Sequence, residues 1–377
     1  MRKETSLLPP RIIISGGGTG GHIFPAIAIA NALKEKCNGM VEILFVGAEG
    51  RMEMEKVPAA GYRIEGLWIS GLQRKLTIKN LSFPFKVISS LIKAKRIMKA
   101  FKPDAAIGTG GYASGPMLRV ASNAGIPTLI QEQNSYPGIT NKILSKKVDK
   151  ICVAYEGMDR YFPKSKILFT GNPVRQDILK LDGKRSRAIE FFKLDASKKT
   201  ILVIGGSLGA RTINESILAG LGAFAAQHIQ LVWQTGKAFN PIAESAVQQY
   251  AEQGIRTFAF IAQMDYAYAV ADVVISRAGA SSVSELCLVK KASVLVPSPN
   301  VAEDHQTKNA MALVNHQAAI LVKDTDAKKE LVSQAIGLLA DTALKAKLEM
   351  NIARLASEDS AMVIANEILN LINLKKK

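Results

Sequence analysis

Two glycine-rich segments, about half the chain apart, combine residue types that suit phosphate or sugar chemistry. Residues 16–22 read GGGTGGH and follow the β-branched run 12–14, while residues 205–211 read GGSLGAR and follow the run 201–204. Glycine lets a ligand approach the backbone closely. A helix that starts after such a loop presents unpaired N–H groups to an anion. The pair therefore predicts two nucleotide-fold halves that face each other across a cleft.

The elements around these loops alternate between strand-like and helical patterns. Strands are predicted at residues 11–14, 42–46, 105–107, 128–130, 150–153, 166–169, 201–204, 230–234, 256–260, 273–276, 293–296 and 319–322. Such alternation is typical of a parallel sheet covered by helices, the doubly wound α/β fold. At 377 residues the chain fits two domains. We place them at 1–172 and 173–377, and the final helix is a candidate to cross back to the first domain.

Composition narrows the class of protein. The chain is 48% hydrophobic, but it contains no apolar run near the roughly 20 residues that span a bilayer. The first ten residues lack the apolar region of a signal peptide. The isolated cysteines Cys37, Cys152 and Cys287 are typical of a reduced cytosolic protein. A net charge of +17 indicates anionic surroundings.

Much of that charge lies between residues 73 and 102, which hold nine Lys or Arg and no acidic residue. Apolar residues recur there at helical spacing: Val87, Leu91, Ala94, Met98 and Phe101, with Ile88 and Ile92 alongside. Such a helix either packs its apolar face on the sheet or lies on an anionic lipid surface. Residues 67–85, which mix apolar residues, glycine, proline and lysines, are the better candidate for membrane contact.

Four further segments follow predicted strands, where doubly wound folds bind ligands. They are residues 108–116, 131–134, 276–285 and 297–309, and they carry amides, an arginine and a histidine. The first glycine loop also matches G-x-G-x-x-G, but the acidic residue expected after the second strand is missing, with Glu49 slightly beyond. This weakens a dinucleotide interpretation. A Walker lysine is also missing, which argues against ATP hydrolysis.

Taken in order and spacing, these motifs resemble those of the MurG glycosyltransferases over about residues 11–320. That family consists of bacterial enzymes that attach N-acetylglucosamine (GlcNAc) to lipid I, which yields lipid II for peptidoglycan. The resemblance implies a GT-B fold of two Rossmann-like domains. It also implies that the first domain binds mainly the acceptor and the second binds the UDP-sugar.

The resemblance further implies roles for single residues. His22 matches the family histidine near the acceptor, Glu285 the ribose ligand, and Phe260 with Ile261 the uracil-recognising segment. Where the family has two adjacent glutamines, this chain has His305 and Gln306. The full set of donor-site matches is Thr19, Gly20, Gly21, Asn134, Arg175, Ser207, Phe260, Ile261, Arg277, Gly279, Ala280, Glu285 and Gln306. The acceptor-site matches are Gly110, Gly111, Tyr112, Ser114 and Gly115.

The implied reaction joins a β-1,4 linkage from an α-linked donor, so the anomeric centre inverts. His22 suits removal of the acceptor proton at neutral pH, and N–H dipoles at helix starts suit the departing UDP. No cluster of carboxylates points to a metal, so we expect neither metal nor cofactor. The expected partners are UDP-GlcNAc, lipid I and an anionic membrane surface, but not nucleic acid. The expected location is peripheral, on the cytoplasmic face of the bacterial inner membrane.

Two alternatives stay open on the sequence. One is another UDP-sugar enzyme of the same fold, such as a UDP-GlcNAc 2-epimerase, which would need clustered carboxylates near the anomeric site. The other is a membrane-bound subunit that binds nucleotide sugar without turning it over.

Overall fold

The computed structural model describes residues 9–71, 82–206 and 208–375. By its internal contacts the chain divides into unit 1, Met1–Val174 with Asp359–Lys377, and unit 2, Arg175–Glu358. Each unit contains a sheet in which every described strand pair is parallel. The two units are described in turn.

Unit 1 is built on a sheet with helices on both faces. Its described strands are β1 (Arg11–Gly16), β2 (Glu42–Ala48), β3 (Arg63–Leu67), β4 (Ala105–Gly110), β5 (Thr128–Glu132), β6 (Lys150–Val153) and β7 (Ile167–Phe169). They pair in the order β3-β2-β1-β4-β5-β6-β7. The helices are α1 (Gly20–Lys36), α2 (Glu53–Ala59), α3 (Phe83–Phe101), α4 (Ser114–Asn123), α5 (Ile139–Leu144) and, from the end of the chain, α14 (Ser360–Lys375).

Unit 2 repeats this plan. Its described strands are β8 (Thr200–Ile204), β9 (Gln230–Gln234), β10 (Ile255–Phe258), β11 (Val273–Ser276), β12 (Ser293–Leu295) and β13 (Ile320–Leu321), in the order β10-β9-β8-β11-β12-β13. Its helices are α6 (Arg185–Phe192), α7 (Arg211–Ala226), α8 (Asn240–Val247), α9 (Met264–Val270), α10 (Ala280–Val289), α11 (His305–Val314), α12 (Ala327–Ala340) and α13 (Thr342–Ala353). In both units the order reverses beside the first strand, which places the glycine loops at the usual ligand-binding edge.

The isoleucine run of β1 shows why the strands form. Ile12, Ile13 and Ile14 are all fully buried. Because side chains alternate along a strand, Ile13 joins the core on one face of the sheet, while Ile12 and Ile14 join the core on the other. A strand buried on both faces needs a continuous apolar sequence, which is what this central strand has.

The last helix of the chain contributes to the core of unit 1. Ala361, Ile364, Ala365 and Ile368 of α14 are buried in the same cluster as β1 and α1. The core of unit 1 therefore closes only with residues that follow the whole of unit 2.

The predicted α/β fold with two Rossmann-like domains is confirmed, and each predicted strand has a counterpart within three residues of its expected ends. Among the described strands, the edge strand β3 was not predicted. The sequence of β3, Arg-Ile-Glu-Gly-Leu, has no β-branched run, and three of its five residues are not buried.

Candidate functional site

The glycine loop of unit 1 leads directly into α1. The Thr19 carbonyl accepts hydrogen bonds from the N–H groups of His22 and Ile23, at 3.1 and 3.2 Å, and so starts the helix. Gly20 and Gly21 open α1, where backbone N–H groups have no partner within the helix. Thr19 is exposed. This end of α1 can therefore receive an anionic or polar ligand group.

Glu53, which was not predicted from the sequence, fixes this loop through hydrogen bonds to its carboxylate. Glu53, in the first turn of α2, is fully buried. One of its oxygens accepts from the Gly18 N–H at 2.8 Å, and the other accepts from the Ala48 N–H at 2.9 Å. Hydrogen bonds to an ionised carboxylate are the stronger kind. Glu53 therefore ties the β1–α1 loop to the end of β2.

The β4–α4 loop packs closely on the glycine loop. Gly111 has φ +83°, and a Cβ there would lie 2.3 Å from the Gly17 carbonyl oxygen, so only glycine fits. Ser114 and Gly115 begin α4, and the Ser114 hydroxyl donates to the Gly111 carbonyl at 2.9 Å. Tyr112 stands out from this loop, about half exposed. The predicted acceptor residues thus form one continuous segment beside α1.

His22 is held at both its backbone and its ring. The Thr109 hydroxyl donates to the His22 carbonyl at 3.0 Å, and ring Nδ1 lies 2.9 Å from Gln133 Oε1. Gly110 makes room for the ring, because a Cβ there would lie 2.7 Å from His22 Cε1. Residues at the end of β4 and after β5 therefore fix one half-buried histidine.

Glu132, at the end of β5, organises the loop that contains Asn134. It is buried and accepts from the backbone and side-chain nitrogens of Asn134 at 3.0 and 3.2 Å. Its second oxygen accepts from the Gly138 N–H at 3.1 Å and the Asn141 amide at 2.9 Å. Asn134 therefore lies just beyond the carboxyl end of β5, with its amide fixed by a buried acid.

In unit 2 a buried glutamine connects two segments predicted to bind donor. Gln234, at the end of β9, donates to the Gly206 carbonyl at 3.0 Å and accepts from the Ile261 N–H at 2.8 Å. Ile261 is buried and Phe260 is exposed. Ser207 lies outside the described residues. Gln234 was not predicted from the sequence, yet it links the second glycine loop to the segment that follows β10.

Glu285 lies one and a half turns into α10, whose start is formed by Gly279 and Ala280. Its Oε1 accepts from Arg175 Nε at 2.9 Å, and its Oε2 accepts from the Tyr268 hydroxyl at 2.9 Å. Burial raises the pKa of Glu285, while the Arg175 charge and the two hydrogen bonds oppose that rise. The predicted donor residues Arg175 and Glu285 are thus brought together, and buried Tyr268 supports them.

Arg277 is occupied by protein groups. Its Nη1 donates to the carbonyls of Val296 and Pro297, at 3.0 and 3.2 Å, and to Asp324 Oδ1 at 2.5 Å. Asp324 also accepts from the Thr212 hydroxyl at 3.0 Å. Arg277 therefore shapes the loop after β12 through its side chain.

Residues 324–326 read Asp-Thr-Asp, a D-x-D tripeptide that was wrongly taken to be absent from the sequence. Its first acid is the one engaged by Arg277 and Thr212. Within the part of the chain that the structure describes, no group of three or more His, Cys, Asp or Glu side chains is arranged to hold a metal ion.

Gln306, the predicted contact with the sugar of the donor, lies at the start of α11. His305 is the first residue of this helix and Gln306 the second. Gln306 Oε1 accepts from the Ser298 N–H at 2.9 Å, so its Nε2 group is the donor that it offers to a ligand.

Helix α3 presents two apolar faces. Ala94, Ile97 and Met98 are buried in the core of unit 1, and Val87, Leu91 and Phe101 pack against that core. On another face Phe85, Ile88 and Ile92 are 69%, 57% and 48% exposed, close to Trp68, which is 48% exposed. These four residues, with Lys93 and Arg96, line a groove of about 870 Å³, which we name the α3 surface. The core-packing interpretation therefore holds for one face of α3, while contact of the other face with lipid stays a prediction. Residues 72–81 of the predicted membrane segment lie outside the described residues.

Two doubly wound α/β units, each with a glycine loop after its first strand, define a two-domain protein of the Rossmann-like class. The glycosyltransferase family 28 N-terminal domain matches residues 12–153, and the family 28 C-terminal domain matches residues 200–366. The chain belongs to glycosyltransferase family 28.

Close relatives extend over almost the whole chain. A protein of Phocaeicola vulgatus is 56% identical over 97% of this chain and 98% of its own length. One of Flavobacterium psychrophilum is 55% identical over 97% of this chain and 99% of its own length. Both are named UDP-N-acetylglucosamine–N-acetylmuramyl-(pentapeptide) pyrophosphoryl-undecaprenol N-acetylglucosamine transferase. The predicted resemblance and the predicted transferase class are confirmed.

Solved structures agree with this assignment. The crystal structure of Acinetobacter baumannii MurG is 28% identical, with a TM-score of 0.74, and covers 96% of this chain and 100% of its own. A UDP-GlcNAc 2-epimerase from Neisseria meningitidis matches with a TM-score of 0.65 at 13% identity, over 96% of this chain and 100% of its own. At that identity the epimerase shares the fold alone.

Proposed function

We propose that this protein transfers GlcNAc from UDP-GlcNAc to the 4-hydroxyl of the N-acetylmuramyl residue of lipid I, with inversion, to form lipid II. The observation that carries the proposal is the 56% identity over 97% of the chain to a relative named for this transfer. Because the alignment spans nearly all of both chains, neither chain has a large insertion or deletion that would remove a substrate site.

Unit 2 carries the donor in this proposal. Glu285 would accept hydrogen bonds from the ribose hydroxyls, since each carboxylate oxygen has a lone pair beyond those used by Arg175 and Tyr268. The Phe260–Ile261 segment would recognise uracil, and Gln306 would contact the sugar. N–H groups at the start of α10, from Ala280 onward, would meet the negative charge that grows on the departing UDP. Arg277 would act by holding the adjoining loop.

Unit 1 carries the acceptor and the base. The Gly110–Gly111 turn, Tyr112 and the start of α4 would bind the acceptor. His22 would take the proton of the attacking hydroxyl, since histidine commonly acts as a general base. This division follows from the resemblance, which also assigns Thr19, Gly20, Gly21 and Asn134 of unit 1 to the donor.

The α3 surface is the proposed contact with lipid. Exposed aromatic and aliphatic side chains beside Lys93 and Arg96 suit the boundary between headgroups and acyl chains of an anionic leaflet. Lys93 pairs with Glu49 at 2.9 Å, so part of its charge is already balanced. Over the described residues, no helix has the length and hydrophobicity to cross a bilayer. We propose peripheral attachment at the cytoplasmic face of the inner membrane.

The experiment that tests the function follows labelled GlcNAc from its UDP donor to a short-chain lipid I analogue, with a chelator present. Formation of lipid-linked disaccharide supports the transferase and its independence of metal together. Disaccharide that forms only when Mg²⁺ is restored contradicts the metal-independent mechanism alone. UDP-N-acetylmannosamine as the product, without disaccharide, would point to the epimerase. Tight binding of UDP-GlcNAc without either product would point to a binding subunit.

A further inference from the structure

The orientation of one buried side-chain amide decides where the proton of neutral His22 lies. Gln133 is 1% exposed, and its Nε2 donates to the carbonyls of Thr109 at 2.7 Å and of Gln131 at 3.2 Å. A backbone carbonyl can only accept a hydrogen bond. The NH₂ group of Gln133 must therefore face these carbonyls, and its oxygen must face the His22 ring.

Two neighbouring amides agree with this orientation, which the carbonyls of Thr109 and Gln131 already require. Gln131 Nε2 donates to Asn172 Oδ1, and Asn172 Nδ2 donates to the Gln133 carbonyl, both at 2.9 Å. Gln131 Oε1 in turn accepts from Gln133 Nε2. All three side chains are buried. Turning any one of them by 180° would bring oxygen against oxygen, so the network has one arrangement that satisfies every group.

The acceptor that Gln133 presents to His22 has a chemical consequence. Gln133 Oε1 carries no proton, and it lies 2.9 Å from His22 Nδ1. Nδ1 must then be the donor, which leaves the lone pair of the neutral ring on Nε2. Among the described residues, none hydrogen-bonds to Nε2.

We propose that Gln133 is a positioning residue that keeps neutral His22 in the tautomer with its proton on Nδ1, so that Nε2 is the basic atom. The use of that base rests on the proposed function. As the anomeric carbon bonds to the acceptor oxygen and its bond to UDP breaks, the hydroxyl proton moves to Nε2. The electron pair of the broken bond leaves with UDP. A neutral amide cannot take the Nδ1 proton, so the imidazolium returns the Nε2 proton to solvent.

The test is nuclear magnetic resonance of the whole chain labelled with ¹⁵N-histidine. The chain has four histidines, and the His22 signals are assigned by their loss in His22→Asn. At about pH 8 the ordinary histidine is neutral, and long-range ¹H–¹⁵N spectra distinguish a protonated from an unprotonated ring nitrogen. We expect a protonated Nδ1 and an unprotonated Nε2 in the unchanged protein. In Gln133→Met, we expect signals of the tautomer protonated on Nε2.

The kinetics give a second readout. We expect Gln133→Met to lower kcat by roughly 10- to 100-fold, as for other partners that orient a functional histidine, with the KM for UDP-GlcNAc within about twofold. The matched control is Gln131→Met, which also removes a buried amide but leaves both carbonyls that orient Gln133. This control is expected to keep the Nδ1-protonated tautomer.

The outcomes separate the two proposals. A proton on Nε2 of His22 in the unchanged protein overturns the inference, whatever the activity. So does a folded Gln133→Met protein in which both the tautomer and kcat are unchanged. Should Gln133→Met fail to fold, the spectrum of the unchanged protein still decides. The expected tautomer without any GlcNAc transfer would contradict the proposed function alone.

Discussion

The double substitution Ile88→Ser with Ile92→Ser on the α3 surface should release the protein from lipid without unfolding it. Both side chains lie on the exposed face of α3, at 57% and 48% exposure. Complete burial of an isoleucine side chain contributes about 2 kcal/mol relative to full exposure. About half of each side chain is exposed and can be covered by lipid, so each isoleucine contributes about 1 kcal/mol. The double substitution therefore weakens the binding free energy by about 2 kcal/mol. That corresponds to roughly a 30-fold weaker partition coefficient.

The assay is sedimentation with vesicles of phosphatidylglycerol and phosphatidylethanolamine at about 0.1 M salt, where charges are screened beyond about 10 Å. The unchanged protein should also bind more weakly as salt rises, because basic residues beside the α3 surface contribute electrostatic attraction. The double variant should keep that salt dependence while its binding curve shifts.

A matched control removes equal exposed apolar surface elsewhere. Ile242 and Met350, both in unit 2, are each 54% exposed, and Ile242→Ser with Met350→Ser should leave vesicle binding unchanged. If the control weakens binding as much as the α3 variant, the α3 surface is not the specific site of contact. If neither variant changes binding, the reasoning from exposed area is refuted.

Three further outcomes test the groups around the site. Tyr268→Phe leaves Glu285 with one hydrogen-bond donor fewer; we expect a loss of about 2 kcal/mol in stability, measured by urea unfolding, and a raised KM for UDP-GlcNAc. Glu53→Gln should lower kcat for GlcNAc transfer and destabilise the fold by about 1–3 kcal/mol, because an amide cannot accept two N–H bonds as well as a carboxylate does; unchanged kinetics would count against a role in the loop. In native protein at about pH 8, iodoacetamide should modify Cys37 before Cys287, since burial raises the pKa of the Cys287 thiol to about 12. Equal rates by mass spectrometry would contradict this.

The sequence predicted those parts of the fold that are encoded locally. β-Branched runs and glycine punctuation mark the central strands and their loops, because buried parallel strands must be apolar on both faces. The edge strand β3 escaped prediction because its pairing with β2 depends on backbone hydrogen bonds across the sheet, which leave little trace in side-chain type.

His22 and Glu285 were named as candidates from the sequence and the family resemblance, and their roles stay predictions. The prediction of the site was incomplete where the site depends on contacts between distant segments. Glu53 lies in a stretch rich in Glu and Lys, so its sequence context suggests an exposed side chain on a helix. In the structure it is buried and accepts a hydrogen bond from the N–H of Gly18, 35 residues earlier. Likewise the sequence does not reveal that the guanidinium of Arg277 pairs with Asp324, 47 residues later.

The placement of α14 has a consequence for the order in which the chain matures on the ribosome. Most of unit 1 is synthesised first, but its core lacks Ile364, Ala365 and Ile368 until the final residues emerge. Unit 2 is contiguous in sequence, so its core can form before α14 is available to pack on the first 174 residues. A released chain that ends before residue 359 could therefore fold unit 2, while the core of unit 1 would lack α14.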